Sequence, residues 1–297
     1  MLYAERFYAL ALKEICELKQ KKPELEPLLD YHEAVLKAQR ETKSSFHLDL
    51  NGLDVELCRE RISEGMPLLK PEDVKIDWNL FDCLFDRISH INQHRAEAPD
   101  SLCSELIPCD HDSQWHAILL KALFEDNTLL EPLADRAGVR PELFTFFAGQ
   151  TLTPFLETYA ERLRKHIDDL AWFRGYCPIC GGEPLMGKLA KETGKRLLKC
   201  HLCRTEWVFK RLECPFCGNS DQEKLRFFYD QEEATLASKP VYRIEVCDRC
   251  KTYLKTVDTR ETERDIPLLV ENLATLDLDL VAKREGFWRE TTRLFGV

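Results

Sequence analysis

Eight cysteines carry the chemistry that can be read from this sequence. They form four CxxC units, Cys177/Cys180, Cys200/Cys203, Cys214/Cys217 and Cys247/Cys250, and use eight of the chain's 13 cysteines. A CxxC turn presents two thiolates from one tight loop, and two such turns complete a tetrahedral four-sulfur site. A single CxxC also occurs as a redox motif; four of them between residues 177 and 250 point to metal binding.

The connections indicate how the units pair. Between Cys203 and Cys214 runs "RTEWVFKRLE", which reads as a strand with Trp207 and Phe209 on one face and Val208 on the other. A ten-residue strand spans roughly 33 Å, and a helix of that length roughly 15 Å. Either is too long for thiolates that share one ion at about 2.3 Å each. The outer connections can instead fold back. "GGEPLMGKLAKETGKRLLK" reads as two arms around a turn near Thr193-Gly194, and "KLRFFY" and "VYRIEV" as two β-like arms around a polar loop. The expected sites are therefore sequential: 177/180 with 200/203, and 214/217 with 247/250.

Each half then repeats one plan, with "CPICG" and "CPFCG" as near-copies. Modules of about forty residues are too small for an adequate core, and a metal ion supplies the missing stability. Two structural ions are the plain reading, with a redox-active, rubredoxin-like iron as the sharper alternative. No His, Asp or Glu replaces a thiolate, so neither set offers an open catalytic position. His201, inside a CxxC, reads as a solvent-facing loop residue.

The elements that position these modules lie on both sides of them. Apolar residues recur at three- and four-residue steps before residue 170, which predicts helices over 2–21, 23–41, 53–63, 77–96, 113–125 and 141–149. A further helix is expected in "QTLTPFLETYAERLRKHIDDLAWF", starting at the Thr153-Pro154 pair and carrying a stripe through Leu156, Tyr159, Leu163, Ile167 and Leu170. Cys16, Cys58, Cys83, Cys103 and Cys109 read mostly as small hydrophobes on helix faces. Neither the irregular set Cys103, Cys109 and His111 nor the pair His90 and His94 makes a complete ligand set, and the two histidines read as a solvated face.

A chain of 297 residues with 32% charged and 44% hydrophobic content fits a folded globular protein. No uncharged run is long enough to span a bilayer, the opening segment reads as an amphipathic helix rather than a signal peptide, and the many ligand-like thiols suggest a reducing, cytoplasmic setting. The net charge of −10 is uneven: residues 174–260 hold 17 Lys/Arg against 12 Asp/Glu, or +5, which leaves −15 elsewhere. That acidic remainder disfavours nucleic acid as a partner. Thioredoxin-like turnover would need a CxxC at a helix start in a βαβ setting, which is not present here.

The order helical region, "WFRGYCPICGGEP", "LKCHLCRTEW", "RLECPFCGN", "VCDRCKTYLKTVD" resembles the FdhE family. The opening "LKQKKPELEPLLDYHEAVLKAQ" and the closing "LATLDLDLVAKREGFWR" extend the resemblance over nearly the whole chain. It implies an α+β protein with an all-α domain (1–172), two four-cysteine rubredoxin-like or zinc-ribbon modules (173–212 and 213–258) and a helical tail (259–297). It also implies a non-enzymatic maturation factor that binds the catalytic subunit of formate dehydrogenase. Cys177, Cys180, Cys200, Cys203, Cys214, Cys217, Cys247 and Cys250 would be the ligands of two Fe or Zn ions. Rubredoxin-like electron transfer, or thiol oxidoreductase chemistry, is the alternative. Trp207, Tyr253 and Leu254 also fall at family-like positions and read as cover for the small ribbon cores.

Overall fold

The computed structural model describes residues 3–48, 55–93, 113–136, 138–168, 171–229, 241–261 and 266–289. These form two compact units, one from the described residues of Met1–Asp54 and Leu68–Leu163, the other from those of Val55–Pro67 and Arg164–Thr292. Cys103, Cys109, His111, His94 and Leu170 lie outside the described residues.

The first unit is helical. Its helices are α1 (Tyr3–Lys21), α2 (Glu26–Ser45), α4 (Trp78–Gln93), α5 (Ser113–Phe124), α6 (Glu131–Arg136) and α7 (Pro141–Leu163), and α3 (Val55–Glu64) belongs to the second unit. Helix α7 buries Phe144, Phe147, Thr151 and Phe155 at three- and four-residue steps. Phe81 and Phe85 of α4 meet that stripe, with ring centroids 5.8 Å apart for Phe85–Phe144 and 6.2 Å for Phe81–Phe155.

Here the structure corrects the sequence reading. Thr153-Pro154 starts no helix; Pro154 lies inside α7, and the helix ends at Leu163, so Ile167 falls beyond it. A proline in a helix leaves the carbonyl four residues earlier without its N–H donor. That carbonyl belongs to Gln150, and the fully buried Gln39 of α2 donates to it from Nε2 at 2.7 Å. A side chain 111 positions away in sequence thus supplies the missing hydrogen bond.

The second unit is built on one six-stranded sheet of order β3-β2-β1-β6-β5-β4. Its strands are β1 (Pro184–Leu189), β2 (Arg196–Cys200), β3 (Glu206–Phe209), β4 (Leu225–Phe228), β5 (Tyr242–Cys247) and β6 (Thr252–Asp258). The expected hairpins are present: Lys188 pairs with Leu197, and Phe227 with Glu245, both antiparallel. The expected ten-residue strand covers only Glu206–Phe209, with Trp207 and Phe209 buried and Val208 half-buried. The two ribbons share this sheet because β1 runs parallel to β6, with Gly187 opposite Thr256. Gly187 permits that seam, since a Cβ there would lie 2.7 Å from the Thr256 hydroxyl.

Two tail helices, α8 (Leu268–Ala274) and α9 (Leu276–Arg284), follow the sheet. Ile244, Val246 and Tyr253 pack with Leu278, Ala282 and Phe287 in a buried cluster. Lys255 of β6 projects into this buried zone at 0% exposure. Its ammonium donates to the Asn272 carbonyl at 2.7 Å, the Thr275 carbonyl at 3.0 Å and the Asp279 carboxylate at 2.7 Å. Burial pushes its pKa down to about 7, although Asp279 opposes the shift. Among the described residues no helix is long and apolar enough to cross a membrane.

Candidate metal centres

The sheet gathers the eight cysteines into two clusters, 177/180/200/203 and 214/217/247/250, with the sulfurs of each set within 4.8 Å of one another. In the first, Cys177 and Cys203 Sγ are 3.4 Å apart and Cys180 and Cys200 Sγ 3.5 Å. In the second, Cys214–Cys250 and Cys217–Cys247 are both 3.7 Å. A disulfide would need about 2.05 Å. Four thiolates at about 2.3 Å around a tetrahedral ion sit about 3.8 Å from each other, so the second cluster matches that spacing and the first is slightly tighter.

Local backbone geometry explains why each CxxC presents its sulfurs together. The residue after every unit is left-handed: Gly181 (φ 75°), Arg204 (φ 57°), Gly218 (φ 67°) and Lys251 (φ 59°). Three of them donate N–H back to the first cysteine's carbonyl, at 2.9 Å for Gly181–Cys177, 3.0 Å for Gly218–Cys214 and 2.8 Å for Lys251–Cys247. Glycine adopts this conformation at no steric cost; Arg204 and Lys251 do not. The turn also aims N–H groups at sulfur, as in Ile179 N to Cys177 Sγ (3.4 Å) and Leu202 N to Cys200 Sγ (3.3 Å).

Further groups around the sulfurs were not singled out from the sequence. Thr205 and Thr252 each stand two residues after the last cysteine of their cluster. Their hydroxyls lie 3.1 Å from Cys203 Sγ and 2.8 Å from Cys250 Sγ. The signal was available in "CRT" and "CKT", which repeat at matching positions. Behind each CPxCG the clusters differ. Gly182 sits where a Cβ would come within 3.0 Å of Cys200 Sγ, whereas Asn219 directs Nδ2 at Cys247 Sγ across 3.7 Å. His201 is half-buried with Nδ1 3.0 Å from the Glu183 carbonyl, which corrects the solvent-facing reading.

Exposure separates the two sites. All four cysteines of the first cluster are buried; Cys217 and Cys250 of the second are half-buried. Burial pushes the Cys177 thiol well up. At Cys203 burial again opposes ionisation, yet hydrogen bonds from Cys177, Cys180, Cys200 and Thr205 hold the thiol well below its usual range. Each set of four sulfur donors fits a tetrahedral thiolate-binding ion and leaves no position for a substrate.

Trp207, Tyr253 and Leu254 are all buried. Trp207 donates Nε1 to the Arg174 carbonyl at 2.9 Å, and Tyr253 donates its hydroxyl to Asp279 at 2.7 Å. Cys58 is buried, while Cys16, Cys83 and His90 are exposed on their helices. Gly175 marks where the ribbons touch: a Cβ there would lie 1.7 Å from the Pro215 carbonyl.

Two family models match consecutive segments, "FdhE, central domain" over residues 176–211 and "FdhE, C-terminal domain" over 212–295. A protein named FdhE homolog from Aquifex aeolicus is 26% identical across 99% of this chain and 97% of its own. The models of two FdhE domains thus account for residues 176–295, and the chain is similar to an FdhE homolog over nearly its whole length. Another FdhE homolog, from Pseudomonas aeruginosa, is 36% identical over 124 residues, 41% of this chain and 39% of its own. Protein FdhE of an Escherichia coli strain is likewise 36% identical over 125 residues, 41% of this chain and 38% of its own. The crystal structure of the FdhE protein from P. aeruginosa has the same fold, with a TM-score of 0.62 at 22% identity, covering 97% of this chain and 95% of that one. The helical region, the sheet with two four-cysteine clusters and the helical tail are thus the FdhE architecture.

Proposed function

We propose that this chain is an accessory protein that binds the catalytic subunit of a formate dehydrogenase and supports its maturation in the cytoplasm. The observation that carries the reading is the match of residues 176–295 to two FdhE domain models, supported by a relative aligned over nearly the full chain. The eight clustered cysteines hold two ions, Fe or Zn, as braces of the docking platform rather than as centres of turnover. Closed four-thiolate sites suit that role, because metal binding to such modules is folding free energy. The functional parts are the helical domain 1–172, the ribbons 173–212 and 213–258, and the tail 259–297.

Co-purification of the catalytic subunit with this chain, paired with formate dehydrogenase activity in a host lacking it, tests the reading. Client capture and a loss of activity without loss of client synthesis are expected. Full activity in that host with no client recovered would overturn it.

One observation favours electron transfer as a second reading. Cys217 and Cys250 of the second cluster are half-buried, and the Thr252 hydroxyl stands 2.8 Å from Cys250 Sγ. Hydrogen bonds to sulfur and solvent access tune thiolate–iron centres. An anoxic preparation containing only zinc, and therefore colourless, would exclude this second reading.

A further inference from the structure

One face of the sheet packs against α8 and α9. The other carries a cavity of about 190 Å³, lined by the 211–216 linker, strands β4 and β5, and Cys214 and Cys247. Arg196, Arg211, Arg226 and Arg243 line it against only two acids, Glu213 and Glu245. Both acids are already engaged. Glu245 receives Arg196 Nη2 at 2.5 Å and Arg243 Nε at 2.9 Å, and Glu213 receives Lys210 Nζ at 2.7 Å. Arg226 is committed to Asp248 at 2.6 and 3.0 Å.

Two donors remain for a ligand. Arg196 is 3% exposed, and its Nε has no hydrogen-bond partner. Arg211 is exposed and reaches the Gly194 carbonyl only at 3.4 Å. Beside them stand Leu212 (61% exposed) and Phe227 (56%), the two most exposed large hydrophobics among the described residues. A buried guanidinium N–H without an acceptor favours a carboxylate, which guanidinium groups bind through charge-assisted hydrogen bonds. A small free acid would leave Leu212 and Phe227 in water; a peptide would cover them.

We infer that this cavity docks an extended, acidic peptide segment of a protein partner. A Glu or Asp carboxylate enters between Arg196 and Arg211, and an adjacent apolar side chain lies on Leu212 and Phe227. The partner's being a protein rests on the client-binding reading above; the carboxylate chemistry rests on the cavity alone.

The test uses the metal-loaded full chain and two labelled octapeptides, alternating Glu-Leu and alternating Gln-Leu, read by fluorescence polarisation. Binding of the acidic peptide at least about tenfold tighter, and weakening with salt, is expected. Arg211→Glu, and separately Leu212→Ser with Phe227→Ser, should each remove about tenfold or more with metal content unchanged. All three side chains are exposed, so folding is preserved where Arg196→Leu could disturb it. Equal binding of the two peptides, or unaltered binding by these variants, overturns the site. A parallel client capture separates the two ideas. Capture by the parent chain and equally by the variants overturns this docking site alone, while no capture by the parent chain overturns the client reading.

Discussion

Removing the Asp279 carboxylate should loosen the sheet from its tail helices. Asp279 is 1% exposed and faces Lys255 Nζ at 2.7 Å and Arg289 Nη2 at 3.1 Å, both cations being at most 1% exposed. It also accepts the Tyr253 hydroxyl at 2.7 Å. Below pH 7, where Lys255 is charged, Asp279→Ala leaves two buried cations without their counter-charge, a change that costs about 3–5 kcal/mol. The orphaned Tyr253 hydroxyl adds to this, but the terms share a network and do not sum. Lys255 keeps the Asn272 and Thr275 carbonyls, which places the expected loss near 4 kcal/mol, or about a thousandfold in the opening equilibrium. Amide hydrogen exchange at β6 reads this locally and is not confused by the helical unit. The same network sets a pH dependence. Lys255 titrates near 7 when folded and near 10.5 when unfolded, so between those values the unfolded chain binds a proton that the folded one does not. Stability contributed by this group therefore rises as pH increases from about 7 to 10.5, by at most about 5 kcal/mol, and is flat below 7. Lys255→Met should abolish the rise. A β6 protection loss under about 1 kcal/mol for Asp279→Ala, together with an unchanged pH rise in Lys255→Met, would refute the reasoning.

Three further outcomes follow from the site and the helical unit. Cys180→Ser and Cys200→Ser should empty the same site while Cys214→Ser leaves it filled, as metal content per chain would show; a common loss by the 200 and 214 variants would contradict the pairing. In metal-loaded protein, Cys217 and Cys250 should be alkylated before any cysteine of the buried cluster, and a chelator should strip the second site first, checked by mass spectrometry of the labelled peptides. Gln39→Leu should destabilise the helical unit by about 1–3 kcal/mol by leaving the Gln150 carbonyl without a donor, measured by hydrogen exchange in α7.

The sequence by itself determined the cysteine pairing, because short hairpins bring their flanking CxxC units together and a ten-residue spacer cannot. It also determined the amphipathic helices and the strand character of Trp207 and Phe209, since burial follows local periodicity. Pro154 was misread because its remedy, Gln39, is 115 residues away, and no local pattern reveals a donor at that distance. The parallel seam of β1 and β6, which merges two apparent modules into one sheet, arises from pairing between strands separated by the whole second ribbon. Glycine at 187 hints at a close approach without naming the partner. Lys255 looks like a solvated strand lysine in "TYLKTVD" until α8 and α9 fold over it and supply its acceptors. The second cluster's greater exposure belongs to the same class. Both CPxCG repeats read alike in sequence, and only the packing around each decides which thiolates meet solvent.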